Sequence, residues 1–164
     1  SYKQTVKLKT ELEDAGYDVM MFYVHADLEG VLQRNQDRFQ KSGGEDRSLS
    51  PAIVMRTWLN VVKNYKPYRD LWGYATSKFG LVSNSQREDG LDNIEDIINK
   101  YLTPFKPKNT KEKTPSQKAR SEKQYIEMKD DIQKILDSDE LEDIESDGLS
   151  KEEAQMRVDK FLSL

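Results

Sequence analysis

Three arginines define the chemistry to look for. Arg34 and Arg38 stand four residues apart in Arg34-Asn35-Gln36-Asp37-Arg38, and Arg47 follows in a segment that contains Gly43 and Gly44. Side chains four apart on a helix share a face, so Arg34 and Arg38 can point the same way. A third arginine on a glycine-bearing loop can close over the same anion. Guanidinium groups suit this work because they stay charged and present a planar fork of donors. The chemistry on offer is grip on an anion. In a phosphoryl transfer it would extend to stabilising charge on the transferring group. A plainer reading pairs Arg34 and Arg38 with Asp27, Glu29 or Asp37, and Arg47 with Glu45 or Asp46. Exposed pairs of that kind contribute little.

Other residues compete for attention. His25 ends an apolar run, where open sheets place ligands, but a satisfied structural histidine is the preferred reading. Trp58, Tyr65, Tyr68 and Trp72 could stack bases, but their helical spacing makes them core residues. Asp143-Ile144-Glu145-Ser146-Asp147-Gly148 opens like a calcium loop, whose twelfth position must be Glu; here that position is Ala154. Ser150 and Glu153 read instead as a capping box.

The elements that must position these groups can be read from periodicity. Residues 3–15 form a helix stopped at Gly16. The run from Tyr17 to His25 suits a strand buried on both faces, as in parallel sheets. Asp27 is placed to cap the helix carrying Arg34 and Arg38. Ser50-Pro51 starts a helix with Ile53, Val54, Trp58, Val61, Val62 and Tyr65 on its apolar side, and Pro67 should kink or end it. Lys78–Ser83 reads as a second strand, and Leu91 to Leu102 as a further helix ended by Pro104. Helix alternating with strand indicates an α/β sheet with crossover helices. Two strands are few for such a sheet, so further strands are expected from an absent N-terminal segment, a partner chain or a misread helix.

Composition narrows the function classes. The 164 residues include no Cys and one His, which excludes disulfides, thiolate metal sites and any site needing two imidazoles. The net charge of -4 gives no bulk electrostatic argument for nucleic acid. No apolar run approaches the roughly 20 residues that span a bilayer, and the chain opens without a secretory leader, so the cytoplasm is expected. Between Lys106 and Lys123 seven Lys or Arg accumulate, and residues 137–147 are acidic. A helix over 116–136 would carry Tyr125, Met128, Ile132 and Ile135 on one side.

Taken in order, Gly16-Tyr17, Arg34 with Arg38, Gly44 with Arg47, Pro51 to Val54 and Val82-Ser83-Asn84-Ser85 resemble the second half of the zeta-toxin-like and polynucleotide-kinase-like P-loop kinases. The likeness spans about residues 6–100. It implies an ATP- or GTP-dependent phosphotransferase using Mg²⁺. By that resemblance Arg34 and Asn84 contact the nucleotide, and Arg38 and Arg47 stabilise the transferring phosphate. The family's phosphate loop, G-x-x-x-x-G-K-[ST], is missing: no Gly of this chain precedes a Lys. The resemblance therefore implies a start upstream of Ser1, or a partner chain carrying that loop, and a chain that is inactive alone and binds nucleotide only weakly.

The expected organisation is an α/β, partial P-loop kinase region over 1–103, a basic linker over 104–124 and an acidic helical tail over 125–164. The alternative is a non-catalytic interaction or structural protein, of viral origin for example, docking on a protein partner through its charged helical tail. Contact of the basic segment with nucleic acid is a third reading. No resident metal ligands are expected among these residues.

Overall fold

The computed structural model describes residues 1–43, 49–73, 78–84, 93–102 and 112–163. They form an α/β arrangement, mostly helical, with one small open sheet of three parallel strands. Helix α1 covers Tyr2–Asp14, strand β1 Met21–His25, helix α2 Leu28–Lys41 and helix α3 Pro51–Trp72. Strand β2 covers Phe79–Ser83, followed by helices α4, Ile94–Leu102, and α5, Pro115–Leu136. Helix α6, Glu140–Ser146, strand β3, Gly148–Leu149, and helix α7, Lys151–Leu162, complete the order. The strands run in the order β1-β2-β3. Both pairings are parallel, with Met21 opposite Phe79 and Leu81 opposite Gly148. Parallel neighbours need crossover connections, which α2 and α3 supply between β1 and β2.

By packing, the chain divides into two interleaved units. The sheet unit comprises Ser1–His25, Val61–Asn84 and Asp143–Leu164; the helical unit comprises Ala26–Asn60 and Ser85–Glu142.

In the sheet unit, α1 stops where the sequence asks it to. Gly16 has φ of 88°, and its N–H and that of Tyr17 bond back to Glu13 O and Leu12 O. A left-handed residue there is the reason for glycine. The core collects aromatic rings: Tyr23, Tyr65, Tyr68, Trp72 and Phe79 are buried. The rings of Tyr23 and Tyr65 lie 5.3 Å apart, and those of Tyr65 and Phe79 6.0 Å. Polar tips on these rings find acceptors. Tyr23 Oη donates to Val61 O, and Trp72 Nε1 donates to Val19 O at 3.1 Å. Asp147 Oδ2 accepts from Tyr65 Oη at 2.6 Å and Arg69 Nη1 at 3.2 Å. Burial works against the charge on Arg69, but its bond to Asp147 prevails and raises its pKa.

In the helical unit, α2 buries Leu28 and Leu32, α3 adds Met55, Trp58 and Leu59, and α4 and α5 add Ile97 and Ile132. Trp58 Nε1 donates to Ala26 O at 2.8 Å. Glu29 accepts from Lys100 Nζ and from Tyr101 Oη, tying α4 to α2.

Several expectations need correction. The strand is shorter than the apolar run from Tyr17, and it is not buried on both faces: Tyr23 and His25 are buried but Val24 is 58% exposed. Side chains alternate across a strand, and Val24 faces away from the aromatic core. The helix carrying Pro67 does not end there but continues to Trp72. An interior proline costs about 3 kcal/mol. Tyr65, Tyr68 and Trp72 on its flanks are buried, and each contributes on the order of 1.5–3 kcal/mol, which offsets it. The third strand comes from Gly148–Leu149, inside the stretch read as a tail. The boundary expected at residues 124 and 125 falls within α5, which starts at Pro115. Residues 104–111 of the expected linker lie outside the described residues. No helix among the described residues is long and apolar enough to cross a membrane.

Candidate anion site

Helix α2 is the element that carries the arginines. Its start is fixed by Asp27, whose carboxylate accepts from Gly30 N at 2.8 Å. That bond satisfies one of the donors every helix leaves open at its first turn. Leu28 and Leu32 point inward, which sets the helix rotation and turns Arg34, Asp37, Arg38 and Lys41 towards one groove. Its end is held by Ser42, whose N–H bonds to Arg38 O at 3.2 Å and whose hydroxyl donates to Phe39 O at 2.9 Å. Asn35 grips Leu49 twice, donating to its carbonyl at 2.9 Å and accepting from its N–H at 3.2 Å. This pair of hydrogen bonds returns the chain to α2 just before α3 begins.

The groove has a volume of about 540 Å³ and is lined by Arg34, Asp37, Arg38, Lys41 and Ser42. Among the described residues three cations thus face one carboxylate. Asp37 is already occupied in part, since its Oδ1 accepts from Gln33 Nε2 at 2.7 Å. Among the described residues Arg34 Nη1 is buried without a hydrogen-bond partner. Leaving such a donor unmatched costs roughly 1–3 kcal/mol. An anion in contact with that donor would recover the cost.

One effect opposes this. Arg38 and Lys41 sit in the last turn of α2, where the helix dipole favours cations and disfavours an anion. That preference is worth roughly 0.3–1 kcal/mol. A hydrogen bond to a charged group contributes about 1.5–3 kcal/mol, so two guanidinium forks outweigh the dipole.

The sequence-derived residues divide as follows. Arg34 and Arg38 meet on one groove, as their spacing predicts. Arg47 and Gly44 lie outside the described residues. Asn84 belongs to the sheet unit. It is exposed just past β2, where its N–H donates to His25 O at 2.6 Å. Lys41 and Ser42 were missed. The signal for Lys41 was present, because it continues the Arg34, Arg38 face by one more turn.

The rival sites resolve differently. Trp58, Tyr65, Tyr68 and Trp72 are buried core residues. His25 is 1% exposed, with Nε2 4.0 Å from Glu145 Oε1. Ser150 and Glu153 form the capping box, each side chain bonding the other's backbone N–H, at 3.1 and 2.9 Å. Asp147, one of the acidic residues of the calcium-like stretch, is engaged by Tyr65 and Arg69. Among the described residues no group of three or more His, Cys, Asp or Glu could hold a metal ion. Comparison of the chain with protein-family models, with curated proteins and with solved structures yields no match.

Proposed function

We propose that this chain is the latter part of a nucleotide-dependent phosphotransferase of the zeta-toxin-like and polynucleotide-kinase-like P-loop kind, with α2 gripping nucleotide phosphates. The observation that carries the reading is Arg34, which lines one groove with Arg38 and Lys41 and whose Nη1 is buried with no hydrogen-bond partner among the described residues. The order of elements supports it: a parallel strand leads into the arginine helix, and its neighbour β2 ends beside Asn84. Arg34 would contact the nucleotide and Arg38 the transferring phosphate. The acceptor would be a hydroxyl on a nucleotide sugar, a polynucleotide end or a similar group.

The groove residues fit a phosphate. Among the described residues they do not fit Mg²⁺, since Asp37 is the one acidic side chain on the groove. No Gly here precedes a Lys, so on this reading the loop that cradles phosphate and positions the metal would be supplied by other residues. These residues would therefore bind and orient the anion, leaving bond making to groups supplied elsewhere.

Calorimetric titration of the full native protein with ATP and Mg²⁺ tests the reading. Arg34→Gln and Arg38→Gln should each weaken binding by about tenfold or more, the equivalent of one charged hydrogen bond. Unchanged affinity in both variants would reject it. No binding by the native protein would favour the interaction-protein alternative, for which α7 leaves Met156 and Leu162 exposed at 69% and 75%.

A further inference from the structure

A second cavity lies wholly within the sheet unit. It measures about 230 Å³ and is lined by Tyr65, Phe79, Gly80, Leu81, Asp147, Leu149 and Arg157. Drug-sized ligands occupy about 300–1,000 Å³, so an occupant must be smaller. A water takes about 30 Å³, which leaves room for several.

The charges on its wall are unequal. Asp147 carries a negative charge, but its Oδ2 accepts from Arg69 and Tyr65, so that charge is compensated. Arg157 is different. Its Nη1 donates to Phe79 O at 2.7 Å, and among the described residues it makes no ion pair. A guanidinium has five N–H donors. One bond to a strand carbonyl fixes the plane of the fork and leaves the other donors to be met. Arg157 is half-buried, and Phe79 and Leu81, both buried, give the same cavity an apolar wall. Gly80 completes the wall without a side chain. A Cβ at that position would come within 2.9 Å of both Leu149 Cδ1 and Phe22 Cε1.

We propose that this cavity binds a small anion with an apolar body, a short-chain carboxylate whose head pairs with Arg157 and whose chain lies on Phe79 and Leu81. A planar carboxylate matches the guanidinium fork through two parallel hydrogen bonds. The site is independent of the α2 groove, and either assignment can fail without the other.

The experiment is an amide NMR titration of the whole chain with sodium butyrate, and separately with inorganic phosphate at matched ionic strength. Butyrate should shift Gly80, Leu81 and Leu149 and saturate at millimolar concentration. Phosphate, with charge but no apolar body, should act at these amides at least several-fold more weakly. Arg157→Gln should abolish the butyrate shifts while the thermal melt stays cooperative. Should that variant fail to fold, Arg157→Lys keeps the charge, loses the fork and should weaken butyrate several-fold. Absence of saturating shifts, their persistence in a folded Arg157→Gln protein, full affinity in Arg157→Lys, or phosphate binding as tightly as butyrate would each overturn the assignment.

Discussion

At the scale of single residues, buried polar groups show what the fold has already settled. Tyr23 has its phenol pKa raised, by burial first and by Tyr68 second. Tyr101 is raised by burial and by Glu29, and Tyr125 chiefly by burial. A phenol whose pKa is higher folded than unfolded stabilises the fold fully below the unfolded value, near 10. That contribution is lost as pH rises through the folded value. The melting temperature should therefore hold steady up to about pH 10 and fall beyond it. Spectrophotometric titration should show a late phenolate fraction appearing together with unfolding. Tyr23→Phe should reduce that fraction; a late fraction unchanged by the variant would contradict the assignment. Of the residues singled out for chemistry, the Arg34 and Arg38 pair was legible because helix geometry turns spacing into direction. The compensation of Asp147 by Arg69 and Tyr65 was not legible. It joins groups 78 and 82 residues apart in the chain, and no local rule reports such a distance.

At the scale of elements, the caps and stops were the most readable features. Asp27, Ser50 with Pro51, Gly16 and Ser150 each act within four residues of the groups they satisfy, so the sequence alone contains the whole interaction. Ser150→Ala should cost about 0.5–2 kcal/mol through loss of the α7 cap, read as a lowered midpoint in urea. An unchanged midpoint would mean that α7 adds little to the stability of its unit. Where tertiary packing decides, the sequence is less readable. Pro67 was expected to kink or end α3, and the helix does not end there but goes on to Trp72, with the buried aromatic face around it. The two-residue strand β3 has no periodicity to detect. It exists because Gly148 and Leu149 reach the free edge of β2 beside Leu81 and Val82.

At the scale of the whole molecule, the chain does not separate into a front domain and a tail. Residues 143–164 belong to the same packed unit as residues 1–25. They supply the third strand, the buried Ile144 and the Asp147 partner of Arg69. Burying an isoleucine contributes about 1.5–3 kcal/mol, and a charged hydrogen bond a similar amount. Their sum is a large share of the 5–15 kcal/mol that holds an ordinary domain together. A chain ending at Glu142 should therefore melt many degrees lower or without cooperativity, followed by circular dichroism. An unaltered melt would contradict a structural role for residues 143–164.

The central claim is that α2 presents a built anion site rather than a solvated charged face. An amide NMR titration of the chain with tripolyphosphate tests it most directly, in the native sequence and in an Arg34→Gln, Arg38→Gln double variant. The account predicts saturating shifts concentrated at Arg34 to Ser42 that vanish in the double variant. Shifts confined to the basic stretch from Lys106 to Lys123, or shifts at α2 that survive loss of both arginines, would contradict it.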